Sequence, residues 1–211
     1  MEEDQLCSDD EVDELERRNA FLQINEIRRL AAQDFALPGC VAIDAAMVKR
    51  LHVFATTDIF PFVGQFREGN VYISGTNHQP PPADEVPGYV DEMCRYVADN
   101  WDASPVHVCS YLLWRCNWIH PFRNGNGRTT RGLAYLAFIL RLRYEPGGSP
   151  TFIERIGDDK NLYYSALDDA DAAWIQGRLD VSLMETKVAE LLSAQLVQTL
   201  ADAGVKLPPR E

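Results

Sequence analysis

The residues best placed to do chemistry lie in one run of twelve, HPFRNGNGRTTR, from His120 to Arg131. Gly125 and Gly127 permit backbone angles that other residues resist, and Asn126 between them tolerates a left-handed turn. Such a loop can aim several backbone N–H groups at one point. An apolar helix is predicted to follow, so that point lies at a helix N-terminus, where the dipole is positive and anions bind. Arg128 and Arg131 are three apart, on one face of that helix, and both can fork onto phosphate oxygens. The run therefore reads as a polyphosphate cradle. His120 at its entrance has no metal-ligand pattern around it, which suits a general base taking a proton from a hydroxyl that attacks phosphorus. Neither GxxxxGK[ST] nor GxGxxG is present, so this is not a P-loop or a dinucleotide fingerprint.

The rest of the chain limits what such a cradle could serve. Its 211 residues carry 20 Lys plus Arg against 32 Asp plus Glu, a net charge of -12. That balance excludes a nucleic-acid surface and docking on anionic lipid, both of which need a basic field. A small basic pocket in an acidic protein suits a small anionic ligand. Cys7, Cys40, Cys94, Cys109 and Cys116 are odd in number and lack CxxC spacing. They are expected as reduced thiols, with no zinc site. No signal pattern and no membrane-length apolar run is visible, so a cytoplasmic location is expected.

Helices are expected to position the cradle. The first is predicted from Asp10 to about Gln33, capped by Ser8 or Asp9, with Leu15, Leu22, Ile24, Ile27 and Leu30 inward. A second spans Ile43 to Phe54, with Met47, Leu51 and Phe54 on one face. Strand formers Val71, Tyr72 and Ile73, with Ser74, sit between Gly69-Asn70 and Gly75-Thr76 and predict a short β-hairpin flap. A helix follows over Ala83–Asn100. Ser104 caps the next, with Pro105 at its first position, and it runs to Ile119. It is apolar nearly all round, hence central. A further helix leaves the cradle after Gly127, and two more are expected at about Lys160–Ala173 and Val181–Ala203. The fold class is mainly α: a single helical domain with one small hairpin. Its parts are an acidic disordered tail (1–10), an N-terminal helical segment (11–42), a core (43–180) and a C-terminal helix and tail (181–211).

The run His120–Arg131 closely resembles the signature of the Fic family, HPFx(D/E)GNGRxxR, at every defining position except the acid. "GQFR" and "VYISGTNHQPPP" resemble the segment that precedes that signature, and the similarity spans roughly residues 45–175. The resemblance implies transfer of AMP from ATP to a Ser, Thr or Tyr hydroxyl of a target protein. Carried over by position, His120 would be the base. Phe122 would anchor the loop. Gly125, Asn126 and Gly127 would hold the α-phosphate, with Asn126 and Arg128 counted as catalytic beside His120. Arg128 and Arg131 would hold the outer phosphates, and Val71–Ser74 would pair with an extended target segment.

Asn124 is the departure. The family's acid there binds Mg²⁺, whereas Asn124 offers a neutral carbonyl oxygen, so Mg²⁺ or Mn²⁺ is expected to be weakly held by the protein. The favoured expectation is an active adenylyltransferase. Its alternatives are a weak or inactive nucleotide- or protein-binding domain, and transfer from another phosphate-bearing donor. Asn124 also precedes Gly125, and deamidation of that pair would restore the acid. The family's inhibitory string (S/T)xxxE(G/N) is missing. Thr186–Glu190 gives TxxxE but is followed by Leu191. Regulation would then come from a separate inhibitor protein or from oligomerisation, or be absent. His52 and His107 are expected to be structural, His78 exposed in the flap, and Trp114 and Trp118 core or rim aromatics. Tyr163 is a lesser candidate for touching a nucleobase.

Overall fold

The computed structural model describes residues 5–73, 76, 78–156 and 160–205. Eight α-helices are found among them: α1 Asp9–Ala36, α2 Ala45–Thr56, α3 Val86–Asp99, α4 Pro105–Ile119, α5 Asn126–Leu142, α6 Phe152–Arg155, α7 Lys160–Ile175 and α8 Ser182–Asp202. A short 3-10 turn, Ala83–Glu85, leads into α3. Local chemistry sets the starts. Ser104 caps α4 by accepting from the His107 N–H, with Pro105 in the first turn, and Asp44 caps α2 by accepting from the Met47 N–H. Thr151 and Glu154 form the capping box of α6, which alternating apolar and charged residues had not signalled.

The helices α4 and α5 form the centre. Leu112, Leu113, Ile119, Leu133, Leu136 and Ile139 are completely buried, and α1, α2, α3, α7 and α8 wrap them. The all-round apolar character of α4 in sequence matches this place. Cys94, Cys109 and Cys116 pack in the core, and all five cysteines are free thiols. No described helix is long and apolar enough to cross a membrane.

One expectation is corrected and one is not confirmed. The inner face of α1 is not a leucine stripe. Leu22 is exposed, while Asn19, Gln23 and Glu26 are buried beside Ile27 and Leu30. These polar side chains reach groups that an apolar face would leave orphaned. Asn19 donates to the Thr57 carbonyl at 2.8 Å and Gln23 to the Leu51 carbonyl at 2.9 Å. Glu26 accepts from Arg29 and Arg50.

The hairpin is the second. Val71, Tyr72 and Ile73 form no strand, and no strand occurs among the described residues. A two-stranded ribbon without a sheet to join has little to hold it, and Tyr72 is 86% exposed. Ser74 lies outside the described residues. So do residues 1–4 of the expected disordered tail, whereas α1 already begins at Asp9.

Candidate active site

The site begins where α4 stops. His120 takes a left-handed conformation, φ 49° and ψ 61°, and its N–H closes the helix on the Cys116 carbonyl at 3.0 Å. Non-glycine residues pay for that conformation, so the surroundings must hold it. Arg67 does much of this. It is 3% exposed, and it donates to the carbonyls of His120 at 2.8 Å and Ile119 at 3.4 Å, and to Pro81 and Gly69. Its own N–H donates to the Pro121 carbonyl at 2.9 Å. Nothing in the sequence marks this arginine apart from its position in "QFR".

Burial drives the His120 pKa down to about 4. The Asn117 backbone opposes that shift, and the positive charges of Arg67 and His78 add to it. The ring is therefore neutral at physiological pH. Nδ1 is buried with no closed hydrogen bond, which leaves Nε2 as the nitrogen with access to the cavity beside it.

Phe122 is fully buried and stacks on His52, with ring centroids 3.7 Å apart and planes 11° apart. His52 is structural, but its structure is the cradle itself. Its Nδ1 accepts from the Gly64 N–H at 2.8 Å, so its Nε2 carries the proton and donates to the Asn124 carbonyl at 3.1 Å. Burial holds this ring neutral too, with a pKa of about 4. Gly125 sits at φ +73°, and a Cβ there would collide with the Thr56 methyl. Both conformation and space demand glycine.

The Asn126 side chain is committed inside the loop. It accepts from the Phe122 N–H at 2.9 Å and donates to the Phe122 carbonyl at 2.8 Å. What Asn126 can offer an anion is its backbone N–H, one of the first N–H groups of α5, which have no intrahelical acceptor. Its side chain thus holds the loop in shape.

The two arginines separate. Arg131 lines a cavity of about 280 Å³ together with His120, Gly127, His78, Asn117 and an aromatic wall of Trp114, Trp118 and Tyr163. It has no ion-pair partner among the described residues. Arg128 turns the other way, donating to the Ala55 carbonyl at 3.1 Å and pairing with Glu16 of α1 at 3.0 Å. Asn124 and Gly125 do not line the cavity.

Asn124 already accepts one bond within the loop at each oxygen, and neither oxygen carries a charge. Its Oδ1 accepts from the Gly125 N–H at 2.7 Å and its carbonyl accepts from His52. No group of three or more His, Cys, Asp or Glu is placed to hold a metal ion among the described residues. The donor set does not fit a divalent ion held by the protein.

His78 is the other correction. Its side chain is 13% exposed and lines the cavity, paired with Asp171 of α7 at 3.0 Å. Tyr163 is a buried wall residue whose hydroxyl accepts from Asn117 at 2.7 Å. Behind the wall Arg115 is almost wholly buried, 4.2 Å from the Trp118 ring and 4.4 Å from the Trp174 ring, with Glu92 as its ion partner. Arg115 was not distinguishable in the apolar run of α4. His107 joins Tyr96 of α3 to Glu185 of α8, away from the cavity.

Residues 42–138 match the family model described as Fic/DOC family. That stretch, a little under half of the chain, is similar to Fic domains. The Protein adenylyltransferase Fic of Drosophila persimilis is 28% identical over 157 residues, which cover 68% of this chain and 29% of that protein. The match to the Drosophila yakuba protein of the same name is 27%. The chain thus spans less than a third of the length of these relatives. A Fic family protein from Desulfovibrio desulfuricans G20 superposes with a TM-score of 0.67 at 20% identity, over 91% of this chain and 55% of that one. Fic-1 of C. elegans gives 0.68 at 18% identity, over 90% and 51%. BepC of Bartonella tribocorum, solved with bound AMPPNP, gives 0.52 at 13% identity, over 83% and 86%. These structural likenesses place the fold. The mainly helical Fic fold is the one expected from the sequence, without the hairpin.

Proposed function

We propose that the protein is a Fic-type nucleotidyltransferase that moves AMP from ATP to a Ser, Thr or Tyr hydroxyl of a target protein. The observation that carries this is His120, a neutral imidazole held at the wall of a cavity shared with Arg131 and the N-terminus of α5. The reading is supported by the adenylyltransferase relatives, and the nucleotide analogue in BepC is consistent with it.

In the proposed step the hydroxyl oxygen attacks the α-phosphorus and an O–P bond forms. The bond between the α-phosphorus and the bridging oxygen breaks, and pyrophosphate leaves. His120 Nε2 takes the hydroxyl proton. The backbone N–H groups at the start of α5 hold the phosphate, Arg131 neutralises its charge, and the aromatic wall takes the nucleoside. A divalent ion would arrive on the triphosphate as part of the substrate, since the loop supplies no ligand set. Val71–Ile73 remain the proposed contact for an extended target segment, and Tyr72 is open for it.

A second reading has its own observation. Because the Asn124 oxygens are engaged in the loop, the domain could bind nucleotide and turn it over slowly or not at all. Transfer of label from [α-³²P]ATP to protein, for wild type, His120→Ala and Asn124→Asp, separates the two. Wild-type labelling that falls by about 10²–10⁴-fold in His120→Ala supports the transferase. Labelling that appears only in Asn124→Asp supports the binding domain. No labelling in any variant rejects AMP transfer.

A further inference from the structure

The His78 ring stands between two acceptors. One nitrogen, Nε2, is 2.8 Å from the Trp118 carbonyl, and the other, Nδ1, is 3.0 Å from the Asp171 carboxylate. Neither oxygen can donate. A neutral imidazole carries one N–H, so both bonds close only when both nitrogens are protonated. The surroundings agree. Burial works against the charge, but the Asp171 bond, the Trp118 carbonyl and the nearby charges of Asp171 and Asp168 outweigh it and raise the pKa. The other charged or titratable groups lining this cavity are His120, Arg131, Tyr163 and Tyr164.

The Trp118 carbonyl belongs to the last turn of α4, where helix carbonyls lack partners and cations are favoured. The end of α4 is held by two side chains. Arg67 takes the carbonyls of Ile119 and His120, and His78 takes that of Trp118. Asp171 binds the other side of His78 and also accepts from the Trp114 indole N–H at 2.7 Å. The result is a bracket joining α7 to the turn that presents His120. It adds to the direct contacts of α4 with α7, the Asn117–Tyr163 hydrogen bond and the packing of Trp114, Arg115 and Trp118 on Trp174.

We propose that His78 is a positioning residue for the reaction at His120, acting as an imidazolium that clamps the last turn of α4 to Asp171 of α7. This role rests on the transferase reading. It has two parts. The clamp fixes the left-handed turn on which His120 stands, and its charge adds to burial in keeping the His120 ring unprotonated.

Histidine-ring ¹⁵N NMR on the full chain tests it, with the four histidines assigned by single replacement. His78 is expected to be doubly protonated at neutral pH. Asp171→Asn, which keeps shape and removes charge, should lower the His78 midpoint. His78→Gln should raise the His120 midpoint from about 4. In the transfer assay His78→Gln should lower the rate by up to about 10²-fold while the KM for ATP changes little, as for a misplaced base. A bracket with a merely structural role would lower the melting temperature and leave the His120 midpoint where it was. A His78 ring neutral at pH 7, or a midpoint unmoved by Asp171→Asn, overturns the clamp and leaves the transferase reading intact. If the ring behaves as expected but wild type transfers nothing, the transferase reading fails and the role in catalysis fails with it.

Discussion

His52 and His120 stand on opposite sides of the same loop, and burial holds both neutral with pKa values of about 4. They do different things because their nitrogens are spent differently. Both of His52's are bonded to backbone, so it can only hold the loop. His120 keeps Nε2 free. A base must be unprotonated, so its contribution is present above about pH 4 and is lost as pH falls through that value. The transfer rate, corrected for titration of ATP, should therefore stay level from pH 8 down to about 5. Single-turnover labelling across that range checks this, and a half-maximal rate near the ordinary histidine value of 6.5 would show that the ring is not held as the geometry implies. The residue types of this loop were legible because each answers a local demand: glycine for φ, arginine for anions, histidine for protons. What Asn126 and Asn124 do was not. Their side chains turn inward to the Phe122 backbone and the Gly125 N–H, and residue type does not say which way an amide points.

The elements reach the site through side chains at long sequence separation. The clearest case is α1, whose Glu16 pairs with Arg128 and whose Asn19 and Gln23 bond to the backbone of α2 and the turn after it. Arg128 is thereby engaged by Glu16 and the Ala55 carbonyl, whereas Arg131 on the same helix lines the cavity. A phosphate that needed both arginines would have to compete with a carboxylate. Glu16 is 42% exposed in its side chain and Arg128 20%, so the pair is worth only about 0.2–1 kcal/mol. Glu16→Gln should tighten ATP binding by at most about fivefold at low salt, with a smaller gain as salt rises. Isothermal calorimetry on both proteins reads this directly, and unchanged affinity would mean that Arg128 takes no part in binding. Helix existence was readable from periodicity and caps, as Ser104-Pro105 and Asp44 illustrate. The polar face of α1 was not readable, since its partners are backbone carbonyls that only the packed fold brings near. Val71–Ile73 form no strand for a related reason. Strand propensity at Val71–Ile73 is local, and a strand needs a neighbour.

For the molecule as a whole, the neutral histidines couple the site to stability. A histidine whose folded pKa lies below its unfolded value is stabilising above the unfolded value. That stability drains away as pH falls from about 6.5 toward about 4, because the unfolded chain takes up the proton first. His78 has the opposite sign. Its raised pKa contributes most below the unfolded value and is lost as pH rises through the folded one. Between pH 7 and pH 5 most carboxylates remain ionised, so histidines dominate the change. His52 and His120 together should then cost up to ~4 kcal/mol, about 2 each at 1.36 per pH unit below 6.5, offset in part by His78. Urea midpoints at the two pH values measure the sum. His52→Asn, which retains a donor for the Asn124 carbonyl and no group that titrates, should flatten the fall by roughly half at a lower starting stability. If the variant shows the same slope as wild type, His52 is not the neutral, buried ring on which the cradle rests, and the rigidity ascribed to the anion loop would have to come from Arg67 and Asn126 alone.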